Sequence, residues 1–154
     1  MTWPVTLEPG RIDLHVEGRI DAKDAQRQQA TAQELLRRLA HQPGIVLADE
    51  VGMGKTFVAL AVALETAWAD EKQRPVVVMM PASLRDKWPR DYKVFLKHCV
   101  KRASDRDMKC AEATNGLEFF RLLDQTRMQR PRILFLTHGA LSRNLDDPWV
   151  KFAI

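Results

Sequence analysis

Residues Asp49-Glu50-Val51-Gly52-Met53-Gly54-Lys55-Thr56 constrain this chain more than any other stretch. A short apolar run, Ile45 to Ala48, precedes them, and a long apolar stretch, Thr56 to Trp68, follows. Glycines at 52 and 54 allow backbone conformations and a closeness of approach that a β-carbon would obstruct. Their N–H groups, with the free N–H groups that open the following helix, can converge on a phosphate oxygen. Lys55 is placed to reach the β and γ phosphates as a compact positive charge, and the Thr56 hydroxyl to ligate Mg²⁺. The general phosphate-loop pattern begins with glycine, where this chain has Asp49. The chemistry expected of such a loop is the binding of ATP with Mg²⁺.

The surrounding pattern alternates between strand and helix. Ile12, Leu14 and Val16 alternate with Asp13, His15 and Glu17, as in a half-buried strand, and Pro9-Gly10 before them suggests a turn closing a hairpin with Val5 to Glu8. Asp21 to Gln42 is helical in pattern, with Asp21 or Asp24 as cap and Ala32, Leu35, Leu36 and Leu39 on one face. Ile45 to Ala48 and Val76 to Met80 have the composition of strands covered on both faces. A right-handed crossover through the helix between them would make them parallel. Ser83 with Asp86 can cap the next helix, and Pro89 suits its first turn. Leu117 to Gln125, Ile133 to Leu136 and Ala140 to Leu145 read as helix, strand and short helix. The alternation predicts an α/β sandwich around a mostly parallel sheet.

Charge is unevenly spread. The net charge is +4, yet residues 1–83 carry 9 Lys/Arg against 11 Asp/Glu, and residues 84–154 carry 15 against 9. The cations crowd between Arg85 and Lys109, a field suited to a nucleic-acid backbone. Cys99 and Cys110 are too few for a disulfide framework and, even with His98, too few for a structural zinc site, so they are expected as free thiols. No segment approaches the roughly 18 apolar residues of a membrane span, and Met1 to Gly10 has no secretory pattern. A cytoplasmic location, or a nuclear one in a eukaryote, is expected.

Ala48 to Thr56 resembles the first helicase motif of Snf2-like proteins, superfamily 2 helicases and translocases in which Asp-Glu-x-Gly-x-Gly-Lys-Thr is usual. Val77-Val78-Met79-Met80-Pro81-Ala82-Ser83-Leu84, with Trp88 beyond, is similar to the family's next motif. Ile133 to Ser142 is similar to the one after, with His138 where the family commonly has tyrosine. The likeness runs from about residue 26 to 145. It implies a P-loop NTPase (RecA-like) three-layer sandwich, incomplete: residues 1–20 an N-terminal extension, residues 21–154 the front of the first of two lobes. In such motors ATP lies in the cleft between lobes and duplex DNA runs across both.

The resemblance also implies roles. Glu50, Val51, Gly52, Met53, Gly54, Lys55 and Thr56 would hold ATP, with Lys55 and Thr56 catalytic and Thr56 on Mg²⁺. A glutamine upstream reads the adenine edge, since an amide both donates and accepts, and either Gln28 or Gln29 could serve. Arg27 stands where an aromatic residue is often found. Pro81, Ser83, Thr137 and His138 would hold one DNA strand's phosphates, supported by Lys87 and Arg90; Ser83 has a rival role as helix cap. The family's later Asp-Glu pair has no counterpart after Ile133, since Asp146-Asp147 sits before Pro148 in the wrong setting. The chain is therefore expected to lack a C-terminal part and a second lobe, and to bind ATP while hydrolysing it poorly. A small P-loop phosphotransferase and a nucleotide-dependent regulatory module are the other readings open at this point.

Overall fold

Asp21 opens the first helix: its carboxylate accepts from the Lys23 N–H, and α1 runs from Ala22 to Leu39. A computed structural model of the chain describes residues 6–16, 18, 20–48, 52–104 and 107–141. Ala25, Gln28, Ala32 and Leu36, spaced by three and four, form the buried face of α1. Helix α2, Lys55–Ala69, is buried more widely, through Val58, Leu60, Ala61, Leu64 and Ala67. Strand β1 (Val76–Met80), helix α3 (Lys87–Cys99), strand β2 (Cys110–Ala113), helix α4 (Gly116–Leu123) and strand β3 (Ile133–Thr137) follow. Asn115 caps α4 by accepting from the Glu118 N–H, while Glu118 reaches back to the Thr114 N–H, a reciprocal cap.

The three strands lie parallel in the order β1-β3-β2. Ile133 and Phe135 of β3 face a core shared with α2 and α3, where Tyr92 meets Phe135 and Phe57 meets Phe95 edge to face. Leu134 and Leu136 face the other way, against Ala113 and the α4 residues Phe119, Leu122 and Leu123. This is the small parallel sheet, with helices on both faces, of a partial RecA-like domain.

Some sequence expectations need correction. Ile45 to Ala48 forms no strand. The run is laid along α1, with Leu47 against the core and Val46 88% exposed. Apolar content signalled burial, but a strand also needs a ladder partner, and here the neighbour is a helix. The parallel pair expected between this run and β1 is therefore absent among the described residues. Strand β1 exists but is not covered on both faces: Val77 and Met79 are 37% and 50% exposed. It lies at the sheet's edge, and α4 covers only the side of β2 and β3. Strand β2 went unforeseen, because Cys-Ala-Glu-Ala is short and carries no β-branched residue. Ser83 caps no helix; it lies inside a 3-10 turn, Ala82–Leu84, and the cap position of α3 is Asp86, without a side-chain bond. A 3-10 turn, His138–Ala140, stands where a last helix was expected to begin, and residues beyond 141 lie outside the described set.

The N-terminal segment is extended rather than paired into a hairpin, though Arg11 N–H to Glu8 C=O closes the expected turn; Val5 lies outside the described residues. Only Ile12 bridges, to Val100. Two amides on α1 complete the backbone pairing. Gln29 accepts from Leu14 N–H and donates to Ile12 C=O, and Gln33 accepts from Leu7 N–H. Arg11 then lies 4.2 Å over the Trp68 ring and 3.7 Å from the buried Glu65.

Burial pushes the Glu65 carboxyl up to about 7, with the Arg11 guanidinium opposing the rise. An unfolded chain releases this proton first as pH rises, so the folded state loses stability between about 4.5 and about 7. The loss is roughly 3 kcal/mol at most, at 1.36 kcal/mol per unit. Thermal unfolding from pH 5 to 8 should show a falling melting temperature in the parent and a flatter profile for Glu65→Gln. Identical profiles would remove Glu65 as the cause.

Candidate nucleotide cavity and strand-end surface

Gly54 sits at φ +77, in the left-handed region that favours glycine, and α2 starts directly after it. Gly52 has φ +89. A β-carbon at Gly54 would run into the Gln28 amide, whereas one at Gly52 would meet nothing within 4 Å. The two glycines thus serve different ends. Gly52 shapes the loop, and Gly54 also makes room for a side chain from α1.

Beside this contact lies a cavity of about 450 Å³. Gln28, Arg27 and Asp24 of α1, Gly52 to Gly54, Phe57 of α2, and Val94 and His98 of α3 line it, with Leu14, Val16 and Ile20 closing one side. Gln28 is only 5% exposed, yet its amide forms no hydrogen bond among the described residues. Its amide atoms keep accessible surface on the cavity wall, where a polar partner could reach them. Gln29, the other candidate, turns away and spends both ends of its amide on the N-terminal segment.

Arg27 holds the loop from the same helix. Its guanidinium donates to the Met53 C=O at 3.2 Å and lies 3.7 Å from the Asp24 carboxylate. Lys55 and Thr56 occupy the first turn of α2, half-buried, but do not line the cavity. Glu50 and Val51 lie outside the described residues. Among the described residues no three His, Cys, Asp or Glu side chains cluster as a metal site. Mg²⁺ bound by Thr56 would take most of its oxygens from phosphates and water, as this ion commonly does. Cys99 and Cys110 are free thiols, and burial pushes Cys99 up to about 11, which keeps it unreactive.

The second group of expected residues gathers at one edge. Met80 pairs with Thr137 at the carboxyl ends of adjacent strands, and each strand leads into a 3-10 turn. Pro81, Ser83 and His138 are exposed there and Thr137 is half-buried. The Ser83 and Thr137 hydroxyls make no hydrogen bond among the described residues, whereas the Thr114 hydroxyl, past the end of β2, is committed to Glu118. Lys87 and Arg90 follow on the exposed side of α3, Lys87 paired with Asp91. Trp88 is half-buried against the core, which favours packing over base stacking.

Sequence reasoning missed the contributions of Leu14, Val16, Ile20, Phe57, Val94 and His98 to the cavity. Leu14 and Val16 carried only the mark of a half-buried strand, Ile20 carried none, and nothing in their order reveals which cavity they close.

A parallel α/β frame with a glycine loop opening a helix defines the class: a partial RecA-like domain. The family described as "Type III restriction enzyme, res subunit" matches residues 21–148, and the chain belongs to it. A 57-residue stretch is 42% identical to the RNA polymerase-associated protein RapA of Histophilus somni (strain 129Pt). That stretch is 37% of this chain and 6% of the relative's length. Together they bear out the likeness to Snf2-like superfamily 2 helicases and translocases.

Gly54→Ala should lower stability by about 1–3 kcal/mol, from the unfavourable φ and the displaced Gln28 side chain. Combining it with Gln28→Ala should recover part of the loss, a non-additivity that denaturant unfolding can measure. Strictly additive losses would mean that the two residues do not touch.

Proposed function

We propose that this chain is the ATP-binding front part of the first lobe of a DNA-dependent ATPase that moves along duplex DNA or remodels complexes on it. The observation that carries the reading is the buried, unpartnered Gln28 amide on the cavity wall, pressed against Gly54 of the glycine loop. An amide there can accept from the exocyclic amine of adenine and donate to a ring nitrogen. Gly52 to Gly54 and the first N–H groups of α2 would receive phosphates, with Lys55 as point charge and Thr56 on Mg²⁺. Glu50 and Val51 belong to the same proposed loop.

At the carboxyl ends of β1 and β3, Pro81, Ser83, Thr137 and His138 would hold phosphates of one DNA strand, with Lys87 and Arg90 beside them. Such contacts position the strand without reading its sequence. Turnover by these residues alone is expected to be slow. No Asp-Glu pair follows Ile133 in the sequence, and arginines from a second lobe would be needed; an arginine finger alone is worth about 10³–10⁵ in rate.

Equilibrium binding of a fluorescent ATP analogue tests the reading on this chain. Lys55→Ala should abolish most binding. Gln28→Ala should weaken ATP by roughly tenfold, the worth of one or two hydrogen bonds, and erase a preference over GTP. Gln29→Ala should keep that preference. Parent-like affinity in both Lys55→Ala and Gln28→Ala would end the proposal.

A further inference from the structure

The cations that crowd together in sequence between Arg85 and Lys109 separate in space. Arg85 turns to Glu112 at 3.9 Å, and Lys109 stands at the head of β2, on the sheet edge opposite the strand-end turns. Lys87, Arg90, Lys93, Lys97 and Lys101 are different. All are exposed, and at 3.6 residues per turn Lys87, Arg90, Lys93 and Lys97 fall within about 120° of one another on α3, with Lys101 two residues beyond its end, past the extended Val100. The four on the helix make a stripe about 15 Å long.

Regular spacing on one helix face sets the stripe apart. Many other cations are matched: Arg37 and Arg38 share Glu34, Arg74 binds Asp70, Arg132 binds Asp107, and Arg11 meets Glu8 and Glu65, while unmatched ones such as Lys23, Lys72 and Lys109 are scattered singly along the chain. On α3 only Lys87 is matched, by Asp91. Among the described residues, Arg90, Lys93, Lys97 and Lys101 have no carboxylate within ion-pair distance, and the Lys101 ammonium donates to the His98 carbonyl. The stripe starts beside the Pro81–Leu84 turn and continues away from it along the helix.

We propose that this face of α3 is a second phosphate-tracking surface, on which Arg90, Lys93, Lys97 and Lys101 bind the backbone of the same duplex DNA. The inference rests on the DNA reading above and extends the interface beyond the strand-end turns. A regular row of like charges left unmatched calls for a polyanion. Successive phosphates of one strand advance about 3.4 Å along the duplex axis, so the helical part of the row matches roughly four of them. A lipid surface fits less well, because a membrane-lying helix presents apolar side chains beside its cations. Here Val94, the apolar residue on that side, is turned to the cavity.

Fluorescence anisotropy with a labelled duplex, titrated with NaCl, tests this. For the triple variant Lys93→Gln, Lys97→Gln and Lys101→Gln, the slope of log K against log salt should fall by about 2–3, at roughly 0.9 for each phosphate no longer neutralised. Lys72→Gln with Lys109→Gln, an equal kind of neutralisation elsewhere, should leave the slope within about one unit of the parent. A parent-like slope in the triple variant overturns the proposal. If Ser83→Ala with Thr137→Val weakens DNA binding in the same assay while the triple variant does not, the stripe fails and the strand-end reading survives. Failure of the parent to bind duplex at low salt removes both. Loss of binding to phosphatidylserine vesicles, with DNA binding intact, would assign the stripe to lipid and overturn the proposal as well. Unchanged circular dichroism of the variants excludes unfolding as the cause of any loss.

Discussion

Strand β3 is the element on which the rest of the arrangement depends. It is flanked by a parallel neighbour on each side, and Ile133, Leu134, Phe135 and Leu136 are buried on both of its faces. A strand so placed satisfies its backbone groups in both directions and offers alternate side chains to two separate cores. Phe135 and Ile133 tie it to α2 and α3, and Leu134 and Leu136 tie it to α4. Because the strands are parallel, their carboxyl ends lie at one edge. The turns after β1 and β3 therefore sit side by side although 56 residues separate Pro81 from Thr137. Open α/β sheets commonly place ligands outside the carboxyl ends of their strands.

Below that sheet, three glutamines on α1 divide the work according to helix geometry. One residue along a helix is a rotation of about 100°. Gln28 points toward the glycine loop, Gln29 toward the N-terminal segment, and Gln33, one turn on from Gln29, meets the same segment again. Side-chain amides here stand in for a neighbouring strand. They donate and accept as a peptide does, so Leu7, Ile12 and Leu14, on either side of the Pro9-Gly10 turn, have backbone groups paired to α1 although a single bridge forms there among the described residues.

How much of this was legible in the sequence follows from what each signal reports. Caps and periodicity are local, so α1, α2 and α4 were visible to within a few residues, the Asp21 cap among them. The four apolar residues at the start of β3 marked a strand buried on both faces, and it is one. The same signal at Ile45 to Ala48 misled, because composition records that a segment is covered and not what covers it. The loop itself was evident from Gly52, Gly54 and Lys55, but the choice between Gln28 and Gln29 was not. Both have the required amide at nearly the same spacing from Lys55. What distinguishes them is the partner each finds in space.

Arg27 adds a constraint that neither glutamine supplies. An aromatic residue at this position offers a flat face and at most one donor toward a backbone carbonyl. A guanidinium is also flat but carries five N–H groups, and one of them holds the Met53 carbonyl. Consecutive residues of α1 thereby grip the loop at consecutive residues, Arg27 at Met53 and Gln28 at Gly54. The position of α1 is thereby coupled to the conformation of the glycine loop, by a hydrogen bond at Met53 and by close packing at Gly54.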